Sequence, residues 1–369
     1  MLRRALLPAL VVVVLAGGLA GISTAHATTL RYTNPIRDTT TGKPLSCPDP
    51  SVIRYRQGKW RYFLYCTSDN ARNAFPIWRS TDLIHWKRDG YVFGYRHQPP
   101  WAMPSDGHTR AGIFWAPAIY RVHGRFVLYF SAAYNPASHA IGSADLKAGT
   151  MVLGVATAHS PTGPWHTKLL HFPGELNADN QPPNHEVTGG DIDPGLVVDP
   201  RTGHLYLFWA EQREQIWEGQ LSSDGLTLGP SAAIAFSVSE PWECDPTNKL
   251  CTVEGPQPIY HAGKFYVLYS GASTWDSSYV VGVAASAAAL NPALPFVKDT
   301  QPILRAGNGF LGPGGESDPV IGPNGQTMIM YHALTHIPTS HASGARVLML
   351  GTLHWAGGFP LINHGVPAR

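Results

Sequence analysis

An all-β, single-domain, five-bladed β-propeller is the fold this sequence of 369 residues predicts, and three observations predict it. The composition is rich in turn formers and aromatics and poor in charge. A hairpin-like unit recurs five times at near-even spacing. The residues after most copies supply the further strands that a propeller blade needs. Two packed sheets would hold as many strands, but the even spacing favours radial repetition.

Charged residues make up 14% of the chain, against roughly 25% in an average soluble domain. The 38 Gly and 32 Pro are spread evenly, which argues against a helical bundle. There is no G-X-Y period, so collagen is excluded. High apolar and aromatic content with near-zero net charge excludes disorder. No basic patch stands out, so a nucleic-acid partner is not expected.

Residues 1–27 have the layout of a secretory signal peptide. Arg3 and Arg4 form a basic start, an apolar stretch runs from Ala5 to about Ile22, and Ala25-His26-Ala27 is the cleavage pattern. The alternative is an uncleaved membrane anchor. No other stretch is long enough to span a bilayer. Residues 28–369 are then the propeller. Losing two arginines and no acid leaves 25 basic and 25 acidic residues, which suggests neither a polyanion nor a membrane as partner. The expectation is a secreted, extracellular monomer.

Export makes the four cysteines a disulfide set. Cys244 and Cys251 lie seven apart across the turn-like Asp245-Pro246-Thr247-Asn248, and Cys47 and Cys66 flank a predicted hairpin. Cys47 with Cys66 and Cys244 with Cys251 is the pairing expected. No C-x-x-C pair points to zinc or redox chemistry.

The five copies begin at Asp49 (DPSVIRYRQGKWRYFLYCTS), Ala116, Asp193, Gly255 and Asp318. Their prolines, Pro50, Pro117, Pro194, Pro256 and Pro319, are 67, 77, 62 and 63 residues apart. In the first copy, Ser51–Tyr55 and Trp60–Tyr65 flank Gln57-Gly58 as a hairpin. Further strands are expected at Ile77–Asp82, Val152–Ala158, Tyr279–Ala284 and Val347–Leu353. Trp60, Tyr62, Tyr129, Tyr206, Phe208, Phe265 and Tyr269 are expected to pack blade against blade.

The first strand of each blade lines the central channel, so the starts of those strands meet at one mouth. Asp49, Asp193 and Glu254 sit at such starts and should converge there. Asp-Pro alone is usually a turn signal. Three acids at comparable places in one repeat suit glycoside hydrolysis instead. One carboxyl must be protonated to donate to the leaving oxygen, and one ionised to activate water or attack the sugar. A third can raise the acid's pKa by like-charge repulsion.

At these residues the sequence resembles glycoside hydrolase family 43. The likeness covers essentially all of residues 28–369. It is carried by Cys47-Pro48-Asp49-Pro50-Ser51, Arg79-Ser80-Thr81-Asp82-Leu83-Ile84-His85-Trp86, Phe114-Trp115-Ala116-Pro117, Ile192-Asp193-Pro194-Gly195 and Val253-Glu254-Gly255-Pro256, in that order. The resemblance implies a five-bladed enzyme that inverts anomeric configuration. Asp49 would be the general base and Glu254 the general acid. Asp193 would raise the acid's pKa and orient it. The substrates implied are plant cell-wall polysaccharides and oligosaccharides. Gly271–Tyr279, Gly312-Pro313-Gly314-Gly315 and Gly344-Ala345-Arg346 point toward arabinose-releasing members. An α-L-arabinofuranosidase is the leading expectation. The alternatives are β-xylosidase, endo-1,5-α-L-arabinanase and a non-catalytic carbohydrate-binding propeller.

Many members hold a metal ion or water cluster in the channel on a fifth-blade histidine. Here the run is Gly314-Gly315-Glu316-Ser317, which leaves His332 as the metal candidate. The chemistry implied needs no cofactor. A channel calcium would be structural, and one imidazole plus waters is an unusual set for Ca²⁺. Asp318-Pro319 departs from the family pattern and is read either as the turn residue of the repeat or as a fourth carboxylate near the funnel. Trp115 is expected to stack on a sugar ring, with core packing as the alternative. Arg346 is expected to bind a sugar hydroxyl or pair with an acid. His185-Glu186 lacks the second His of a zincin and is read as a rim element. No Walker loop, dinucleotide fingerprint or G-x-S-x-G elbow is present.

Overall fold

The second strand of each expected blade alternates large apolar side chains on both faces, and both faces are covered. Tyr62 and Leu64 pack with Met328, Met330 and Leu348, whereas Phe63 and Tyr65 pack with Phe114, Phe126 and Phe130. Such a two-faced strand needs a sheet on either side. The computed structural model meets this need with five four-stranded antiparallel sheets. It describes residues 30–108, 112–138, 148–170, 190–211, 214–286, 296–338 and 346–369. The leader expected at 1–27, His185-Glu186 and Gly344-Ala345 lie outside the described residues.

Blade one comprises β1 (Ser51–Arg54), β2 (Tyr62–Tyr65), β3 (Ala74–Ser80) and β4 (Trp86–Phe93). Blade two holds β5 (Phe114–Val122), β6 (Arg125–Ala133), β7 (Met151–Ala158) and β8 (His166–Leu169). Blade three holds β9 (Asp191–Val198), β10 (Leu205–Glu211), β11 (Gln215–Leu221) and β12 (Leu228–Ser237). Blade four holds β13 (Val253–His261), β14 (Lys264–Gly271), β15 (Val280–Ser286) and β16 (Val297–Lys298). Blade five holds β17 (Leu311–Ile321), β18 (Thr327–Leu334), β19 (Arg346–Ala356) and β20 (Phe359–Ile362). Neighbours in sequence pair in space within every sheet. Trp60 lies just before β2 and packs, partly buried, at the border of blades one and two.

Five apolar clusters fill the five borders between blades. The inner strands touch in a ring, with β1 against both β5 and β17. The chain before β1 laces this closure. The amide of Ile36 donates to Leu348 O, the amide of Leu348 donates to Leu45 O, and Asn34 bonds both backbone groups of Leu350. Both expected disulfides are present, Cys47–Cys66 and Cys244–Cys251.

Four inner strands are broken at the same level by a bulge, and the chain makes the equivalent irregularity at Asp49-Pro50 just before β1. In blade two, Trp115 pairs with Ser131 and Ala118 with Tyr129, so Ala116 and Pro117 together face one residue. Blades three and four repeat this at Asp193-Pro194 and Gly255-Pro256. The bulge residues Asp49, Ala116, Asp193, Gly255 and Gly315 all have φ between 49° and 81°, the left-handed region where Gly is easy and Asp is tolerated. The following Pro needs no ladder partner. The alignment of Pro319 with the other four prolines does not hold. Asp318 pairs with Met330 beyond the bulge, as Ser51 pairs with Tyr65. The blade-five bulge is Gly315-Glu316-Ser317, which the proline pattern hid.

Candidate active site

The bulges put five backbone amides around one end of the channel, and the preceding blade accepts each of them. Ala116 N donates to Thr67 Oγ1 (2.7 Å), Asp193 N to Ser131 Oγ (3.0 Å) and Gly315 N to Ser270 Oγ (3.0 Å). Asp49 N donates to His332 Nδ1 (3.2 Å), and Gly255 N to Asp193 Oδ2 (3.0 Å). His332 is therefore the blade-five counterpart of Thr67, Ser131 and Ser270.

This scaffold brings Asp49, Asp193 and Glu254 together. Arg346 Nη1 lies 3.1 and 3.3 Å from the two carboxylate oxygens of Asp49. Burial alone would raise the Asp49 carboxyl. The Arg346 guanidinium, helped by the Thr67 hydroxyl, outweighs burial and holds it well below the usual carboxylate range. Asp193 goes the other way. Burial first, then the carboxyls of Glu254 and Asp49, push it well above its ordinary value, against the Gly255 amide. The mouth thus contains a carboxylate held ionised beside a carboxyl held protonated. Glu254 Oε1 accepts the phenol hydrogen of Tyr279 at 2.7 Å.

Of the two expected substrate residues, Arg346 is the ion-pair partner of Asp49, and its guanidinium also lies 5.1 Å from the centre of the Trp275 ring. Trp115 is half-buried, and its Nε1–H donates to Asp69 Oδ1 at 2.8 Å. The indole is fixed by its edge at the mouth rather than sunk in a core. Asp69 has no repeat signal that would have singled it out. Tyr279 ends the segment Gly271–Tyr279, and a tyrosine there carries no signal of contact with an acid in the sequence. Glu316 lies in the run Gly314-Gly315-Glu316-Ser317, which carries no repeat signal. It is 2% exposed. Burial, Asp49, Asp193 and Glu254 hold its carboxyl well above the usual range. The fourth acid near the funnel is therefore Glu316, and Asp318 lies further along the channel.

The donors around His332 do not suit a channel calcium. His332 is fully buried, and burial lowers its pKa and keeps the ring neutral. With Nδ1 accepting from the Asp49 amide, the ring proton sits on Nε2, which has no hydrogen-bond partner among the described residues. A Cβ on Gly315 would stand 2.5 Å from His332 Nδ1, so the imidazole fills the space a side chain at 315 would use. Among the described residues, no three His, Cys, Asp or Glu are placed to hold a metal ion. Ca²⁺ asks for six to eight oxygens, and here it would meet an N–H.

A five-bladed propeller with oppositely tuned carboxyls at one mouth belongs to the class built for acid–base chemistry on glycosidic bonds. The chain is a member of glycosyl hydrolases family 43, whose model matches residues 32–360. It is 25% identical over 326 residues to an extracellular exo-α-(1→5)-L-arabinofuranosidase of Streptomyces avermitilis, covering 84% of this chain and 58% of that one. It is 26% identical over 248 residues to a xylosidase/arabinosidase of Butyrivibrio fibrisolvens, covering 65% and 39%. An extracellular endo-α-(1→5)-L-arabinanase 1 of Bacillus subtilis is 25% identical, with 85% and 86% covered. The chain thus spans little more than half the length of the first of these relatives and less of the second. A thermostable family-43 glycoside hydrolase of known structure superposes with a TM-score of 0.70 at 25% identity, over 92% of this chain and 98% of that one.

Proposed function

We propose that this protein is a secreted, inverting glycoside hydrolase that removes α-L-arabinofuranosyl groups from arabinan or arabinoxylan of plant cell walls. The observation that carries the proposal is the contrast between Asp49, which Arg346 favours in the ionised form, and Asp193, whose carboxyl burial and the neighbouring Glu254 and Asp49 push well above its ordinary value. Asp49 takes a proton from water as that water attacks the anomeric carbon. Glu254 donates to the leaving oxygen from the far side of the scissile bond. Its Oε1 accepts from the Tyr279 hydroxyl. Asp193 keeps the proton of Glu254 in place and fixes the Glu254 segment through the Gly255 amide. Trp115 offers an aromatic face for the sugar ring. No cofactor takes part in these steps.

The leader pattern and the word extracellular in the names of two relatives support secretion. No helix among the described residues is long and apolar enough to cross a membrane. The partner proposed is the polysaccharide, and the protein acts as a monomer. Endo-arabinanase action is the second reading, favoured by the even coverage with the Bacillus protein.

The test is a chromatographic profile of sugars released from arabinan, debranched arabinan, arabinoxylan, xylo-oligosaccharides and galactan, with Glu254→Gln as the blank. Free arabinose alone supports the proposal. A ladder of arabinose oligomers moves it to the endo reading, and xylose to a xylosidase. Binding without release favours a carbohydrate-binding propeller. Glu254→Gln should lower the rate about 10²–10⁴-fold, and an unchanged rate would refute the acid assignment.

A further inference from the structure

We propose that Asp318 is a positioning residue that fixes strand β1, which follows directly on Asp49-Pro50, against strand β13, which carries Glu254. The proposal rests on the reading of those two residues as base and acid.

Beyond the bulges, a hydrogen-bonded girdle joins the inner strands of all five blades, and Asp318 is its hub. Asp318 Oδ2 accepts from Ser51 Oγ (2.9 Å) and from the Val52 amide (2.6 Å). Asp318 Oδ1 accepts from Gln257 Nε2 (3.2 Å). Ser51 Oγ in turn accepts from the Ile119 amide of β5 (3.0 Å). Gln257 also meets the Tyr120 hydroxyl (3.3 Å), which accepts from the Leu196 amide of β9 (2.9 Å). Beyond the girdle the channel opens into a cavity of about 400 Å³, lined in part by Tyr120, Gln257 and Asp318.

The corresponding positions of the other blades are Ser51, Ala118, Gly195 and Gln257, none of them ionisable. An acid buried to 5% exposure is costly to place there without partners. Three donors from two strands satisfy it, and those strands are the one that follows the base and the one that bears the acid. The chelated pair, Ser51 and Val52, begins two residues after Asp49. The link between them is Pro50, whose φ is fixed by its ring. Few torsions remain to absorb a shift of Val52 before it reaches Asp49. Gln257 stands three residues after Glu254 on the same strand. One carboxylate therefore grips both strands whose separation sets the gap for an attacking water, roughly 6.5–9.5 Å between carboxyls in inverting enzymes.

The test uses the full chain with Asp318→Ala and Asp318→Asn, kinetics on an aryl arabinofuranoside and crystal structures of native protein and variants. Asp318→Ala should lower kcat about 10²-fold, the size of effect that a misplacement of about 1 Å produces. KM should stay within about threefold of native, because sugar contacts are untouched, and the Asp49–Glu254 carboxyl separation should change by about that 1 Å. Asp318→Asn keeps an acceptor for Ser51 and Val52 and should recover at least about tenfold of the loss. Unchanged kcat, equal loss in both variants or an unaltered separation would overturn the proposal. Should Asp318→Ala not fold, Ser51→Ala removes one donor and should lose several-fold in kcat, and no loss again overturns it. If the native protein turned over no arabinoside, the substrate reading would fail, while the carboxyl separation in the crystals would still decide the role of Asp318.

Discussion

Arg346 and Asp49 are 297 residues apart in sequence, yet one guanidinium nitrogen lies within 3.3 Å of both oxygens of that carboxylate. The pair spans the closure of the ring, because Asp49 precedes the first inner strand and Arg346 begins β19 of the last blade. Only once this closure is made does half-buried Asp49 gain the Arg346 contact that favours its ionised form. Its folded carboxyl lies below the ordinary 3.8, so the pair contributes stability above about pH 4 that fades as pH falls further.

Replacing Arg346 with Met should therefore move the base upward. Loss of a nearby cation raises a carboxyl by roughly one to three pH units. The acidic limb of the kcat/KM profile should shift to higher pH by that order. Stability should fall by about 3 kcal/mol, because a buried charge loses its partner. An unmoved acidic limb would mean that Asp49 is not the group titrating there.

Tyr279→Phe removes a hydroxyl that donates to Glu254 Oε1. A hydrogen bond to a charged group is worth about 1.5–3 kcal/mol, so kcat should drop about 10- to 100-fold. Substrates with poor leaving groups should suffer more than nitrophenyl glycosides, because only they depend on proton donation. Equal losses on both would place Tyr279 outside the acid step.

The Cys47–Cys66 bridge closes a loop with a sequence separation of 19 that starts two positions before Asp49 and contains it. Converting both cysteines to Ala should destabilise the fold by about 3 kcal/mol through the loop entropy restored to the unfolded chain. Denaturant unfolding measures this. An unchanged midpoint would mean that the apolar border of blades five and one holds the segment unaided.

Asp318 gives stability a pH dependence of definite sign. Burial raises its carboxyl from 3.8 to about 7, against the Val52 and Ser51 hydrogen bonds. The folded state then binds a proton more tightly than the unfolded one, so stability falls as pH rises between about 4 and 7. Asp318→Asn cannot titrate and should flatten that slope in thermal melts across the window. The same slope in native and variant would assign the effect to other buried acids, such as Glu218, which burial also raises to about 7.

Much of the architecture was legible in the sequence because a propeller repeats its physics. Two-faced apolar strands recur at each blade, Pro follows the bulge residue in four blades, and the first strands must meet at one mouth. That logic singled out Asp49, Asp193 and Glu254, while turn spacing and the first hairpin paired the cysteines. It misplaced blade five, where no Pro marks the bulge and Asp318-Pro319 imitates one. It also left undecided what Arg346 pairs with, since an arginine reads alike whether it meets a sugar or an acid.

The sequence by itself determined the number of blades, the inner strands and the acids at their starts, because hydrophobic period and turn chemistry are local properties. Only the tertiary structure decided which carboxyl is held ionised and which protonated. Those states depend on burial and on partners hundreds of residues away, such as Arg346 for Asp49. It also decided that His332 accepts a backbone amide, and that Asp318 ties two strands 200 residues apart. Such roles arise from closing the ring, and no stretch of sequence contains a closed ring.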